Sequence, residues 1–126
     1  MIAPDAPKKP REGTGPKKPR KKPGASPTKL SLGLLRERGY RCAIVEHWNP
    51  FAHIRQDLFG FIDILAIRKG EVLGVQSTSD DNVSKRLHKI ADAEAVGDVR
   101  EAGISIHVHG WKKKDGRWVL REVNAS

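Results

Sequence analysis

Two side chains in the middle of the sequence have the type and spacing for metal-assisted chemistry. Asp63 is the one acid inside Phe61–Arg68, an otherwise almost wholly apolar run, and Gln76 lies in a second run, Val72–Ser79. Between them, Lys69-Gly70 suits a two-residue hairpin loop. With that loop Arg68 faces Glu71, and counting back along the ladder sets Asp63 opposite Gln76. Side chains alternate along a strand, so Asp63, Gln76 and the diagonal Thr78 share one face. A carboxylate and an amide oxygen held together on a rigid sheet make half of a site for a hard cation. A bulge at the turn would instead shift the register by one residue and part the pair.

The neighbouring elements decide what else can reach this face. Ser26-Pro27 reads as an N-cap and first helical residue, Leu30, Leu34 and Leu35 give a helical stripe, and Gly39 ends it, so a helix is expected over 27–38. Tyr40–Trp48 reads as a strand buried on both faces, with Glu46 near its end as a metal ligand or a salt-bridged acid. A loop, Asn49–Phe59, follows its Asn-Pro turn signal and carries Arg55 and Asp57 towards Asp63. Asp57 is there as a second ligand or as the partner of Arg55, and Phe51, Leu58 and Phe59 are expected to anchor the loop on the core. Ser79-Asp80-Asp81-Asn82 is a helix start, with Val83, Leu87 and Ile90 as the apolar stripe and Lys85, Arg86 and Lys89 on the other faces. A short helix, Glu94–Ala102, precedes an alternating strand, Ile104–Trp111, and a last strand, Arg117–Val123, follows a turn over Lys112–Gly116. Trp111 and Trp118 are expected to pack across that hairpin. His107 and His109 share a strand face at ligand-like spacing, but the sequence offers no evident third ligand, and zinc is not expected.

The order is therefore helix, three antiparallel strands, helix, strand, strand. A helix between strands three and four makes a parallel crossover, giving an α/β fold with a mixed five-stranded sheet and helices on both faces. At 126 residues there is room for one such domain, at 28–126.

Residues 1–27 differ in kind. They hold Lys8, Lys9, Arg11, Lys17, Lys18, Arg20, Lys21 and Lys22 against two acids, and seven of the eight prolines. Such a stretch buries too little apolar surface to offset its ordering entropy, and a disordered basic arm is expected. Together with the net charge of +9, it points to a polyanionic partner: DNA, or RNA on the same charge argument, with Arg55, Arg86 and Lys89 as further phosphate contacts. An arm of this kind reads backbone charge and not sequence. The single Cys42 rules out an intrachain disulfide and fits a reducing cytoplasm, and no apolar run is long enough for a bilayer span. No membrane association is expected.

Asp63, twelve intervening residues and then Gln76-Ser77-Thr78 resembles the D…(E/Q)xK signature of the PD-(D/E)xK nuclease superfamily, the fold of Holliday-junction resolvases and many restriction enzymes. The αβββαββ order resembles that restriction-endonuclease-like core. The wording around it (E.WNPFAHIRQDLFGFIDILAI…QSTSDDNVSKR) is similar to a group of small phage and bacterial proteins near the resolvase-like members. The sequence departs from the signature in having Gln76 where Glu is commoner and Thr78 where the catalytic Lys would stand. The resemblance implies a Mg²⁺- or Mn²⁺-dependent endonuclease acting on branched or structured DNA in a bacterial or phage-infected cytoplasm, and relatives of this type are often homodimers. It implies Asp63, Gln76, the Ser77 carbonyl and Asp57 or Glu46 as metal ligands. Thr78 takes the Lys position, with Lys85 or Arg86 supplying the missing cation from the next helix. The alternatives are a nuclease-fold protein that binds DNA without cleaving it, and a phage accessory protein that binds a host protein.

Overall fold

A computed structural model of the chain describes residues 25–126; the basic arm and its lysines and arginines from Lys8 to Lys22 lie outside the described residues. The chain folds into α1 (Pro27–Glu37), β1 (Arg41–Ile44), β2 (His47–Asn49), β3 (Ile54–Gln56), β4 (Ile64–Arg68), β5 (Glu71–Ser79), a 3₁₀ turn (Asp80–Asn82), α2 (Val83–Asp92), α3 (Val96–Glu101), β6 (Ser105–Lys114) and β7 (Arg117–Asn124). Five strands form one mixed sheet in the order β1-β4-β5-β6-β7, in which only β5 and β6 run parallel. The α/β class and the mixed five-stranded sheet are as the sequence led us to expect.

Alternation along the strands builds a core on each face of the sheet. One contains Phe61, Ile62, Val83, Ile90, Val99, Ile106 and Val108, packed beneath α2 and α3. The other contains Leu32, Leu35, Ile64, Ala66, Leu73 and Val75, beneath α1. The first helix is closed as anticipated: the Ser26 side chain accepts from the Lys29 amide, Pro27 opens the helix, and Gly39 takes a positive φ of 91° just beyond its end. Lys69-Gly70 joins β4 to β5 in the expected register, with Arg68 opposite Glu71 and Ile64 opposite Val75.

Four expectations need correction. The strand over Tyr40–Trp48 is two strands: β1 is an edge strand, with Ile44 56% exposed and not buried on both faces, and His47–Asn49 leaves the main sheet. The loop over Asn49–Phe59 contains β3, which pairs with β2 in a separate two-stranded ribbon. Within it Phe51 is 94% exposed and Phe59 also faces solvent, so of the three expected anchors Leu58 alone packs on the core. At the last hairpin, β6 continues to Lys114 and the turn is Asp115-Gly116, both with positive φ as a type I′ hairpin turn requires. That register pairs Trp111 with Leu120 and Trp118 with Lys113, and the Trp111 indole turns inward to donate to Ser31 Oγ at 2.9 Å. Among the described residues no helix is long and apolar enough to cross a membrane.

Candidate metal centre and phosphate-binding cleft

Asp63 stands at the entrance to β4, fixed on both sides by backbone bonds: its N–H donates to Val75 O at 2.9 Å and its carbonyl accepts from Val45 N at 2.8 Å. The hairpin register then sets Gln76 beside it. Gln76 Nε2 donates to Asp63 Oδ1 at 2.7 Å, and the Ser77 amide donates to Oδ2 at 2.8 Å. Asp63 is 5% exposed and Gln76 2%. The pairing expected from the two runs and the turn is thus present, with one difference of orientation. Gln76 turns its nitrogen to the carboxylate, and its Oε1 is buried without a hydrogen-bond partner. A buried orphan acceptor costs roughly 1–3 kcal/mol, so this oxygen is where a cation or a donor group would be most strongly stabilised.

Two further carboxylates converge on Asp63. Glu46, Asp57 and Asp63 each offer an oxygen within 4.8 Å of the others. The β2–β3 ribbon explains how. Its last rung pairs His47 with Gln56, so Glu46 and Asp57 are the next residues outward on the two strands and meet at its open end. Glu46 is the salt-bridged acid, 3.8 Å from Arg55, and Asp57 accepts from Lys89 at 3.0 Å, while both lie beside Asp63. Asp57 therefore pairs with Lys89 and not with Arg55. Ser77 belongs to the wall of the site, and its observed contact with Asp63 is through the amide N–H.

Clustering has an electrostatic consequence. Desolvation pushes the Asp63 carboxyl up from its ordinary 3.8 to about 7; the Ser77 amide works against this, and the neighbouring Asp57 charge adds to it. Like charges in a dry pocket do not ionise together without a compensating cation.

The site opens into a cleft of about 440 Å³ between the start of α1 and α2, lined by Asp63, Gln76, Ser77, Thr78 and the cations Arg55, Arg86 and Lys89. Arg86 Nε lies 3.5 Å from Thr78 Oγ1, so a guanidinium from the following helix sits at the Thr78 position. Lys85, the other candidate for that role, is exposed and does not line the cleft. Its position on α2 explains this: with Val83 and Ile90 buried against the sheet, Arg86 flanks the buried stripe and Lys85 points nearly opposite to it. A cluster of carboxylate oxygens rimmed by guanidinium and ammonium groups has the chemistry to hold a phosphate diester beside a divalent ion. No family model, curated protein or solved structure matches the chain.

Proposed function

We propose that the protein is a divalent-metal-dependent endonuclease of restriction-endonuclease-like architecture that hydrolyses phosphodiesters in structured or branched DNA. The observation that carries this reading is the convergence of Glu46, Asp57 and Asp63 on one another in a cleft that Gln76 also lines and whose rim is cationic. This donor set is all oxygen and rich in negative charge, and it fits Mg²⁺ or Mn²⁺. Asp63, Asp57 and Glu46 would hold the ion, with Gln76 Oε1 available to it. When bound there, the metal supplies charge neutralisation at the phosphate and a water of lowered pKa.

The chain's own residues supply the rest. Arg86 places a fixed positive charge beside Thr78, where developing charge on the scissile phosphate needs a partner, and a guanidinium can bind two phosphate oxygens at once. Lys89 and Arg55 keep two of the acids oriented by pairing with them, and lie along the path of a polyanionic backbone. The Ser77 amide fixes the rotamer of Asp63. The basic balance of the whole sequence supports a nucleic-acid substrate through counterion release.

The test is cleavage of duplex, flap, four-way-junction and single-stranded DNA with Mg²⁺ or Mn²⁺. Asp63→Ala is expected to abolish cleavage while leaving DNA binding within about twofold, because binding rests on exposed cations outside the metal cage. Wild-type protein that binds these substrates and leaves all of them intact would overturn the enzymatic reading and leave a DNA-binding protein.

A further inference from the structure

We infer that His107, His109 and Glu122 form a second metal site, separate from the acidic cleft, that takes a borderline transition-metal ion such as Zn²⁺. Alternation along β6 puts His107 and His109 on one face, and the antiparallel β6–β7 register sets Glu122 opposite His109, supplying a third ligand from the partner strand. One ligand atom from each of the three lies within 4.8 Å of the others. Two imidazole nitrogens and a carboxylate, with room for an outside ligand, is the donor set of open zinc sites; the oxygen-only cleft around Asp63 is not.

The two histidines and Arg38 converge on Glu122. His107 Nδ1, His109 Nε2 and Arg38 Nη1 all crowd onto the same oxygen, Oε2, at 3.0, 3.1 and 3.1 Å. With both ring protons turned to it, three donors would compete for the two lone pairs of that oxygen. A divalent ion would sit among the three ligand atoms with each ring proton on the far nitrogen, and Arg38, whose side chain is 40% exposed, is the group it would displace.

His109 is built to present a lone pair. Its ring is fully buried, and its far nitrogen, Nδ1, lies 2.9 Å from Ser31 Oγ. That hydroxyl also accepts from Trp111 Nε1 at 2.9 Å and lies 2.8 Å from Ser77 Oγ. If the ring proton sits on Nε2, Ser31 donates to Nδ1 and accepts from Trp111 and Ser77. If it sits on Nδ1, Ser31 accepts from the ring and from Trp111 and donates to Ser77. Ser31 Oγ has a partner for Nδ1 in either tautomer, so the ring proton can sit on Nδ1 and leave the Nε2 lone pair free for an ion. A partner on the far nitrogen that fixes ring and tautomer is the usual support of a metal-bound histidine. His107 and Glu122 are about a quarter exposed, which leaves the ion a way in and a free coordination position.

The test is a Co²⁺ titration of the untagged full-length protein, read by the intense visible d–d bands of four- or five-coordinate cobalt. Saturation at a single Co²⁺ per chain is expected, with loss of the bands on adding Zn²⁺. His107→Ala and Glu122→Gln, both at partly exposed positions, are each expected to weaken binding at least about tenfold. Asp63→Asn is expected to leave it unchanged, so this outcome is independent of the nuclease reading. The inference is overturned if cobalt keeps its pale hexa-aqua spectrum, if His107→Ala binds as tightly as wild type, or if Asp63→Asn removes the bands.

Discussion

Replacing Asp63 by Asn changes the charge at the cleft floor and preserves its shape, and the structure sets the size of the effect. The Asp63 carboxyl is raised from 3.8 to about 7, chiefly by desolvation. A raised acid binds its proton more tightly when folded than when unfolded. Its contribution to stability is therefore fully present below the unfolded value and is lost as pH climbs from 3.8 to about 7. About three units at ~1.4 kcal/mol each is on the order of 4 kcal/mol. Asn carries no such penalty: its oxygen can accept from the Ser77 amide while its nitrogen donates to a rotated Gln76 Oε1, the atom now without a partner. The difference in unfolding free energy, Asp63→Asn minus wild type, is thus expected to grow by about 2–4 kcal/mol between pH 4 and pH 8. Two other groups also titrate. Burial lowers His109 from 6.5, so its contribution rises with pH up to that value. Burial opposes the charge on Glu122, but hydrogen bonds from Arg38 and His107 hold it at about 2, and it acts only below its ordinary 4.5. Both are present in each protein and cancel in the difference. The assay is urea unfolding at several pH values in EDTA. Adding Mg²⁺ at pH 8 should then restore the wild type alone, by ~2.7 kcal/mol at a hundred times Kd. A wild-type–variant difference that stays flat from pH 4 to 8 would refute the reasoning.

Three other substitutions examine different parts of the structure. Arg86→Ala should cut metal-dependent cleavage by about 100-fold or more in kcat, whereas Lys85→Ala should leave the rate within about twofold, measured by single-turnover kinetics; equal losses would show that neither cation is aimed at the phosphate. Gly110→Ala would put a Cβ 2.3 Å from Val83 Cγ2 and 3.2 Å from Asp80 Cα, where the buried valine and the 3₁₀ backbone cannot both retreat. A loss of roughly 1–3 kcal/mol in unfolding free energy is expected, and an unchanged denaturation midpoint would contradict the close packing of that turn on β6.

What could be read from the sequence was whatever rests on local rules. The β4–β5 register follows from a two-residue turn and the period of two, and with it the contact between Asp63 and Gln76. Helix α1 follows from its cap, proline and leucine stripe. The phase of α2 was also available: Val83, Leu87 and Ile90 already place Lys85 on the far side and Arg86 at the flank. The β2–β3 ribbon could not be seen, because its strands are three residues long and solvent-facing, so neither shows an apolar period. It is held instead by a side chain, with Asn49 Oδ1 accepting from the amides of Phe51 and Ala52. The edge position of β1 was equally hidden, since an apolar run does not say whether a strand has neighbours on one side or both. Glu122 as a companion of His107 and His109 needed only the Asp115-Gly116 turn to be placed correctly.

Glu46 and Asp57 hang from one ribbon of three rungs, anchored to the main body at its base. Two of the three acids that would grip a cation therefore stand at that base, next to Val45 and Leu58, whose amides are bonded to Asp63 and Ile62. One short ribbon, by the length of its two arms, thus sets the separation of two carboxylates that are eleven residues apart in the chain.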